Sequence, residues 1–140
     1  MTDTTTDTTT DTGSDQPADH TATIDSYVAM LNETDPQRRA ALAAQAWTED
    51  GSYVDPLLAA TGHAALSDMA AGVHAQFPGQ RFARTTGIDA HHSLVRFGWQ
   101  LAGDDGTVTV AGLDVGIIAP DGRLSRIAGF FGPLPDRPAA

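Results

Sequence analysis

Three residues of this 140-residue chain stand out because their side chains can handle protons while their neighbours are mostly apolar or glycine. Tyr27 lies in the segment SYVAML, Asp55 closes the segment WTEDGSYVD before Pro56, and Asp114 interrupts the apolar run VTVAGLDVGII. A carboxylate inside a buried strand loses hydration worth several kcal/mol unless it is paired or protonated. The three residues therefore predict a pocket in which protons are transferred.

The two carboxyl groups are expected to differ in charge. Asp114 shares one face of a predicted strand with Gly112 and Gly116, so burial among glycines and aliphatic residues should raise its pKa. Asp55 stands at a strand end, where it should lie closer to water and remain ionised. General acid/base chemistry requires such a pair, one group to accept a proton and one neutral acid to donate a hydrogen bond.

The composition argues against several classes of protein. The chain has no cysteine, so disulfides and thiolate metal sites are not expected. Its net charge is −10 and its eight basic residues are all scattered arginines, which argues against binding nucleic acid or anionic membranes. The histidine spacings predict no metal site, and no apolar stretch is long enough to span a membrane. Without a secretory signal pattern, a soluble cytoplasmic protein is expected.

The chain divides into a tail, a domain and a second, shorter tail. Residues 1–20 form a Thr/Asp near-repeat with almost no apolar content, and we expect this segment to be disordered. An ordered domain is predicted over residues 21–134, followed by a C-terminal tail over residues 135–140. The domain is expected to be a single unit of ordinary size.

The first part of the domain carries three helical patterns. Apolar residues at i, i+3, i+4 and i+7 predict a first helix after the cap residue Thr23. Asp35 and Pro36 have the cap-then-proline order that begins a second helix, which we expect to end at Gly51. A short strand over residues 53–55 and a third helix from about His63 to Phe77 follow.

Beyond the third helix the apolar period changes to two, which predicts strands near 81–88, 94–102, 107–119 and 123–131. Their short connections, rich in glycine and aspartate, are typical of an antiparallel meander. Helices followed by strands give an α+β architecture. A twisted sheet wrapped over the helices leaves a cone whose mouth can hold a ligand.

Several segments of this chain resemble the NTF2-like superfamily, within it the SnoaL-like and ketosteroid isomerase branch. The segments are YVAMLNETD, WTEDGSYVDP and GLDVGIIAPDGRL, and the resemblance covers roughly residues 21–134. It implies a cone of three N-terminal helices packed on a curved antiparallel sheet. It also implies a cofactor-free enzyme in which Asp55 is the catalytic base, while Tyr27 and Asp114 donate hydrogen bonds to the oxygen that becomes negatively charged. That family is a standard example of a carboxylic acid kept neutral at pH 7.

Seven further residues are expected to contact an apolar small-molecule ligand, partly from the resemblance and partly from their apolar or aromatic character. They are Trp47, Tyr53, Leu58, His92, Phe97, Trp99 and Phe131. Phe131 is placed there by the resemblance, and His92 belongs to a turn that could reach the mouth of the cone. The large aromatic residues are equally explained as parts of the hydrophobic core.

Each catalytic candidate also has a purely structural explanation. Tyr27 fits an amphipathic helix as a core residue, and Asp55 before Pro56 fits an Asx-type turn. Asp114 fits a buried ion pair with one of the arginines Arg84, Arg96 and Arg126. If the three side chains meet in one cavity, the catalytic explanation is favoured. If they point to different parts of the fold, the structural explanations suffice.

Three functions compete at this point. The first is enolisation: double-bond isomerisation, or ring closure of the kind attributed to SnoaL-like polyketide cyclases. The second is a hydrolase resembling limonene epoxide hydrolases, although Arg96 is followed two residues later by Gly98 rather than by the acid of their Asp-Arg-Asp arrangement. The third is a non-catalytic ligand carrier or dimerisation module. The resemblance also raises the expectation of a homodimer that forms through the outer face of the sheet.

Overall fold

The computed structural model describes residues 19–139 of the chain. Within this range it contains three helices and seven strands. The helices are α1 (Thr21–Asn32), α2 (Pro36–Ala46) and α3 (His63–Gln76). The strands are β1 (Trp47–Val54), β2 (Ala59–Thr61), β3 (Arg81–Arg84), β4 (Asp89–His91), β5 (Leu94–Ala102), β6 (Val108–Ile118) and β7 (Leu124–Phe131).

The strands form one sheet in the order β2-β1-β7-β6-β5-β3, with β4 paired to β5. The pairs β3–β5, β5–β6 and β6–β7 are antiparallel, which agrees with the predicted meander. The expectation of a wholly antiparallel sheet is wrong, because β1 pairs in parallel with β7. Parallel neighbours need a long crossover connection, and here all the elements from β2 to β6 supply it.

Two further features of the predicted architecture need correction. The strands β1 and β2 intervene between α2 and α3, so the three helices do not all precede the sheet. β2 itself was not predicted, because three residues, Ala59–Thr61, are too short to show a period. The disordered tail predicted for residues 1–20 lies almost wholly outside the described residues.

The helix starts illustrate local sequence signals. Asp35 caps α2 as predicted: its carboxylate accepts a hydrogen bond from the backbone N–H of Arg38 at 2.9 Å, and Pro36 is the first helical residue. The cap predicted for α1 is wrong. The helix begins at Thr21, whose N–H is bound by the Asp19 carboxylate at 2.9 Å, while the Thr23 hydroxyl donates to the carbonyl of Gly122.

The predicted boundary between α2 and β1 is also wrong. The helix ends at Ala46, before Gly51, and β1 starts at once with Trp47. Gly51 is needed inside the strand, since a Cβ there would lie 2.6 Å from the Trp47 ring. The predicted strand 81–88 is too long, because β3 ends at Arg84 and the Thr86 hydroxyl beyond it accepts a hydrogen bond from the backbone N–H of Gly98. The short strand β4, Asp89–His91, lies in the connection predicted before residue 94 and was not expected.

The core lies between the helices and the inner face of the sheet. Alternate residues of β5, Val95, Phe97 and Trp99, are buried there, in agreement with the predicted alternation. Asp114 on the neighbouring β6 faces the same core. Hydrophobic packing therefore surrounds Asp114, the one buried acid among residues 19–139.

Candidate active site

Two aspartates and one glycine lie in a row across three neighbouring strands. Asp114 of β6 is paired with Gly129 of β7, and Val54 of β1 is paired with Ala128, so Asp55 lies next to Gly129 on the other side. A Cβ at Gly129 would be 2.9 Å from Asp114 Oδ1, 3.1 Å from Tyr53 Oη and 3.3 Å from Asp55 Cβ. The missing side chain of Gly129 thus leaves open the point at which these groups converge.

Asp114 is the most deeply buried carboxyl group among the described residues, with 3% of its surface exposed. Tyr27 Oη donates a hydrogen bond to Asp114 Oδ2 at 2.9 Å, whereas Oδ1 has no partner. Burial raises the pKa of Asp114 to about 7 from an ordinary value of 3.8, and the charge of Asp55 adds to the rise. The donors Tyr27 and Trp99 oppose the rise in pKa without cancelling it.

The explanation of Asp114 as half of a buried ion pair is excluded. None of the three candidate arginines reaches it, because each has a partner elsewhere. Arg84, Arg96 and Arg126 contact Asp25, Asp89 and Ser52, respectively, at 3.7, 2.8 and 3.0 Å. A neutral carboxylic acid is therefore the form that this apolar setting favours around neutral pH.

Asp55 has a different environment, because it is half-buried and accepts three hydrogen bonds. Its Oδ1 atom accepts from the backbone N–H groups of Leu57 and Leu58, both at 2.8 Å, and its Oδ2 atom accepts from Tyr53 Oη at 2.7 Å. The Asx-turn explanation of Asp55 is thus correct, but the same residue also lines the cavity. Oδ2 accepts only one hydrogen bond, so it retains a lone pair that can take a proton.

Tyr27 is held inside the core by two aromatic rings. Trp47 and Phe97 meet it edge-on at centroid distances of 5.6 and 6.4 Å. Burial raises the pKa of Tyr27 well above its ordinary value of 10, and the Asp114 carboxyl adds to this effect. The phenol therefore stays neutral and acts as a hydrogen-bond donor.

These side chains face a cavity of about 350 Å³ between the helices and the sheet. Eight of the ten residues predicted for the site line it: Tyr27, Tyr53, Asp55, Leu58, Phe97, Trp99, Asp114 and Phe131. The volume is at the small end of the range typical of ligand pockets. The other lining side chains are predominantly apolar.

The structure does not place Trp47 and His92 in the cavity lining. Trp47 is completely buried behind Tyr27, because Gly51 gives its ring room inside the core. His92 adopts a φ of 50° in the exposed turn after β4, where its ring contacts that of His91. These two side chains lie apart from the cavity that the other eight predicted residues line.

Sequence reasoning missed part of the helical wall of the cavity. Met69, Val73 and Phe77 of α3 line it together with Val28 and Leu31 of α1. All five belong to the apolar stripes that predicted the two helices. The stripes were a sufficient signal for burial, but they do not distinguish a side chain packed in the core from one that faces a void.

Comparisons with known proteins assign the family. A provisionally assigned isomerase of the SnoaL-like family from Agrobacterium tumefaciens str. C58 is 35% identical to this chain, and the match covers 81% of this chain and 97% of that one with a TM-score of 0.76. The chain belongs to the SnoaL-like family. No protein-family model and no curated protein matches this SnoaL-like chain.

Two more distant structures agree with this fold. One is a provisionally assigned SnoaL-like polyketide cyclase from Jannaschia sp. CCS1, with 14% identity, a TM-score of 0.62 and coverage of 85% of this chain and 91% of that chain. The other, from Catenulispora acidiphila DSM 44928, has a ketosteroid isomerase-like fold and was solved in complex with trimethylamine. It shows 17% identity and a TM-score of 0.62, over 76% of this chain and 82% of that one. At these identities the likeness shows the α+β, NTF2-like fold of the SnoaL-like chain and nothing about its substrate.

Two negative findings apply to the described residues 19–139 of this SnoaL-like chain. No helix among them is long and apolar enough to cross a membrane. No group of three or more His, Asp or Glu side chains among them is placed to hold a metal ion.

Proposed function

We propose that this SnoaL-like protein is an acid/base enzyme that transfers protons beside the carbonyl group of an apolar compound without a cofactor. The observation that carries the proposal is the pair of aspartates on either side of Gly129 in one apolar cavity. Asp55 is bound as an ionised carboxylate would be, and Asp114 is buried with a raised pKa. Carboxyl groups whose environments separate their protonation states can act as base and acid in one reaction.

In the proposed reaction, Asp55 Oδ2 removes a proton from a carbon next to the substrate carbonyl. The electron pair of the broken C–H bond forms a C=C bond, and the carbonyl oxygen gains the negative charge. Neutral Asp114 donates its Oδ1–H to this oxygen. A donor already fixed in a water-poor cavity stabilises such a charge more than water does, because it need not reorient during the reaction.

The enolate then has two outcomes. If protonated Asp55 returns its proton to a more distant carbon of the conjugated system, the double bond is isomerised. If instead the enolate carbon attacks a second carbonyl of the same molecule, a C–C bond forms and the ring closes, as in a polyketide cyclase. In the ring closure the attacked carbonyl becomes an alkoxide, and protonated Asp55 gives its proton to that oxygen. Both outcomes therefore restore Asp55 as a carboxylate and Asp114 as a neutral acid.

The role proposed for Tyr27 differs from the role expected of it from the sequence. Its hydroxyl hydrogen is already donated to Asp114 Oδ2, so it supports the ligand oxygen through Asp114. A donor on Oδ2 also determines that the acidic proton of Asp114 resides on Oδ1, the oxygen next to Gly129. Tyr27 is accordingly a positioning residue in this proposal.

The epoxide hydrolase alternative gains no support. No arginine is among the described residues that line the cavity, and Arg96 is paired with Asp89 at an exposed position. The ligand-carrier alternative uses the same cavity and is distinguished only by the absence of proton transfer. An experiment must therefore detect proton transfer directly.

The test is deuterium exchange of the acidic C–H protons of a panel of β,γ-enones and small polyketides, followed by NMR in D₂O, with epoxides tested alongside for hydrolysis. We expect exchange with members of the carbonyl panel, and a rate in Asp55→Asn that is lower by roughly 100- to 10,000-fold. Asp50→Asn is the matched control, because Asp50 is an exposed acid of the same strand. Equal exchange in wild type and Asp55→Asn would remove Asp55 from the mechanism. No exchange with any carbonyl compound would leave only ligand binding.

The expected partners are an apolar small molecule and a second copy of the chain. The outer face of the sheet carries the cross-strand pairs Leu94–Ile117 and Leu113–Phe130. These four side chains are between 37% and 58% exposed, and an apolar strip of this kind fits self-association. The homodimer, the cytoplasmic location and the domain limits at residues 21 and 134 stay predictions.

A further inference from the structure

Two polar atoms of residues that line the same cavity are buried without a hydrogen-bond partner. They are Asp114 Oδ1 and the indole Nε1 of Trp99. The residues are 3% and 7% exposed, so water does not satisfy these atoms from the outside. An unsatisfied buried donor or acceptor destabilises the folded protein, and native proteins rarely retain one without a reason.

The register of the sheet places these two atoms near each other. Trp99 of β5 is paired with Gly112 of β6, and Phe97 is paired with Asp114, so the indole and the carboxyl are diagonal neighbours on one face. A Cβ at Gly112 would lie 2.9 Å from Trp99 Cζ2, so the indole occupies the space that this glycine leaves open. The indole N–H lowers the pKa of Asp114, although it does not meet the carboxyl at hydrogen-bonding geometry.

The indole is also held in place by other aromatic rings. Phe82 and Phe131 lie at centroid distances of 6.0 and 5.9 Å from Trp99, and both line the cavity. A side chain packed in this way cannot easily rotate to find another acceptor. The direction of its N–H group is therefore a property of the folded protein before any ligand arrives.

We propose that the Trp99 indole N–H and the Oδ1–H of Asp114 form a two-donor site for one ligand oxygen. The inference depends on the proposed function only in that Asp114 is neutral and its ligand is a carbonyl compound or its enolate. Since the Tyr27 hydroxyl is occupied by Asp114 Oδ2, Trp99 takes the place of the second direct donor. The favoured ligand class is an apolar molecule with one oxygen that accepts hydrogen bonds, such as an enone, an enolate or a phenol.

The test compares 2-naphthol with naphthalene, two probes that differ only in one oxygen and are small enough for a cavity of about 350 Å³. Binding constants are measured for the full chain and for Trp99→Phe, which removes the N–H but keeps an aromatic ring. We expect Trp99→Phe to reduce the ratio of naphthol affinity to naphthalene affinity about tenfold, as loss of one strong hydrogen bond predicts.

Trp47→Phe is the matched control. Trp47 Nε1 is also buried without a partner, but Trp47 does not line the cavity. This variant should keep the wild-type affinity ratio. A second measurement needs no variant in the site: the chain has only two tryptophans, so its two indole ¹H–¹⁵N signals are easily assigned. 2-Naphthol should shift the Trp99 N–H signal downfield, and naphthalene should not.

Three results would overturn the proposal: equal affinity ratios in Trp99→Phe and wild type, an unchanged Trp99 N–H signal with naphthol bound, or no naphthol binding. Tyr27→Phe adds a further check, because loss of the affinity ratio in that variant but not in Trp99→Phe would identify Tyr27 as the direct donor. The result is independent of catalysis. A preserved naphthol preference without deuterium exchange would refute only the enzyme proposal, and exchange without that preference would refute only the role of Trp99.

Discussion

The two ends of the Asp55–Gly129–Asp114 row show how one residue type acquires two different properties in the same cavity. Asp55 follows the end of β1, where two backbone N–H groups and one phenol bind its oxygens. Asp114 is in the middle of β6, where the backbone groups are used by the neighbouring strands and only Tyr27 reaches its carboxyl. The first position supplies three hydrogen-bond donors to a carboxylate, whereas burial at the second raises the pKa of the acid and disfavours its charged form.

The difference shows that donor supply depends on position in a sheet. A turn offers free backbone N–H groups to an adjacent carboxylate, whereas the interior of a strand has none to spare. An acid in a central strand therefore depends on side chains for every hydrogen bond. Asp114 has one such donor and Asp55 has three. Removing a donor from one carboxyl group, or adding a methyl group beside it, should therefore change the properties of that group and leave those of the other.

The largest expected effect is on stability. The folded-state pKa of Asp114 is raised to about 7, so the folded protein holds this proton more tightly than the unfolded chain does. The stabilisation is complete below the unfolded pKa near 3.8, and it is lost as pH rises to about 7. We expect a loss on the order of 4 kcal/mol in the free energy of unfolding, measured by urea denaturation from pH 3.5 to pH 9.

Asp114→Asn supplies the control for this measurement, because an amide does not titrate. At low pH the wild type should be more stable than the variant. As the pH rises, this difference in unfolding free energy should shrink and then reverse, so that the variant becomes the more stable protein. A constant difference over the whole range would mean that folding does not raise the pKa of Asp114. The contrast between the two carboxyl groups would then be lost.

A second effect is expected on the exchange rate, since the reaction needs Asp114 as a neutral donor. With a pKa of about 7, the neutral fraction falls roughly 100-fold between pH 6 and pH 9, and the rate of deuterium exchange should fall with it. Asp114→Asn keeps a permanent N–H donor and an oxygen that accepts from Tyr27. The fall at high pH should therefore be absent in this variant, and its persistence there would assign it to another group.

Gly129→Ala tests the space between the two acids. The added methyl group would lie 2.9 Å from Asp114 Oδ1 and 3.1 Å from Tyr53 Oη, so it would crowd the two groups and the space beside Asp114 Oδ1 that a ligand oxygen needs. We expect the affinity for 2-naphthol to fall tenfold or more, measured by calorimetry, while naphthalene loses less. The expected destabilisation is about 1–3 kcal/mol, which is typical of overpacking.

Gly116→Ala is the matched control for this substitution. Gly116 is on the same face of β6 as Asp114, but a Cβ there would meet only aliphatic side chains of the core, at 3.0 to 3.2 Å. It should cost stability without changing the affinity ratio of the two probes. Equal loss of naphthol binding in both variants would show that the effect comes from general loosening of the sheet.

The smallest effect is expected from Tyr53→Phe, which removes one of the three donors to Asp55. Its stability should fall by about 1 kcal/mol, the usual contribution of one hydrogen bond. The pH at which the exchange rate declines should not move, because that decline is caused by the ionisation of Asp114. Tyr27→Phe should shift the decline to higher pH, since the Tyr27 hydrogen bond holds the pKa of Asp114 down. A shift in Tyr53→Phe instead would show that the two carboxyl groups share one network.

Several parts of this structure could be predicted because they depend on residues close together in the chain. Asp35 and Pro36 begin α2 as a cap and first-turn pair do in any sequence. The alternation in β5 and β6 buries Phe97 and Asp114 together because a strand turns successive side chains to opposite faces. The end of α2 could not be predicted, since Gly51 is explained by the Trp47 ring that packs over it.

The sequence by itself determined the α+β class, the family resemblance and the choice of Tyr27, Asp55 and Asp114, because acids among apolar residues are conspicuous wherever they occur. Only the tertiary structure decided which phenol binds which carboxyl. Tyr27 and Asp114 are 87 positions apart, and their contact depends on how α1 packs over the sheet. The open position at Gly129 and the unpaired Trp99 N–H follow from the register of four strands, which no local pattern encodes.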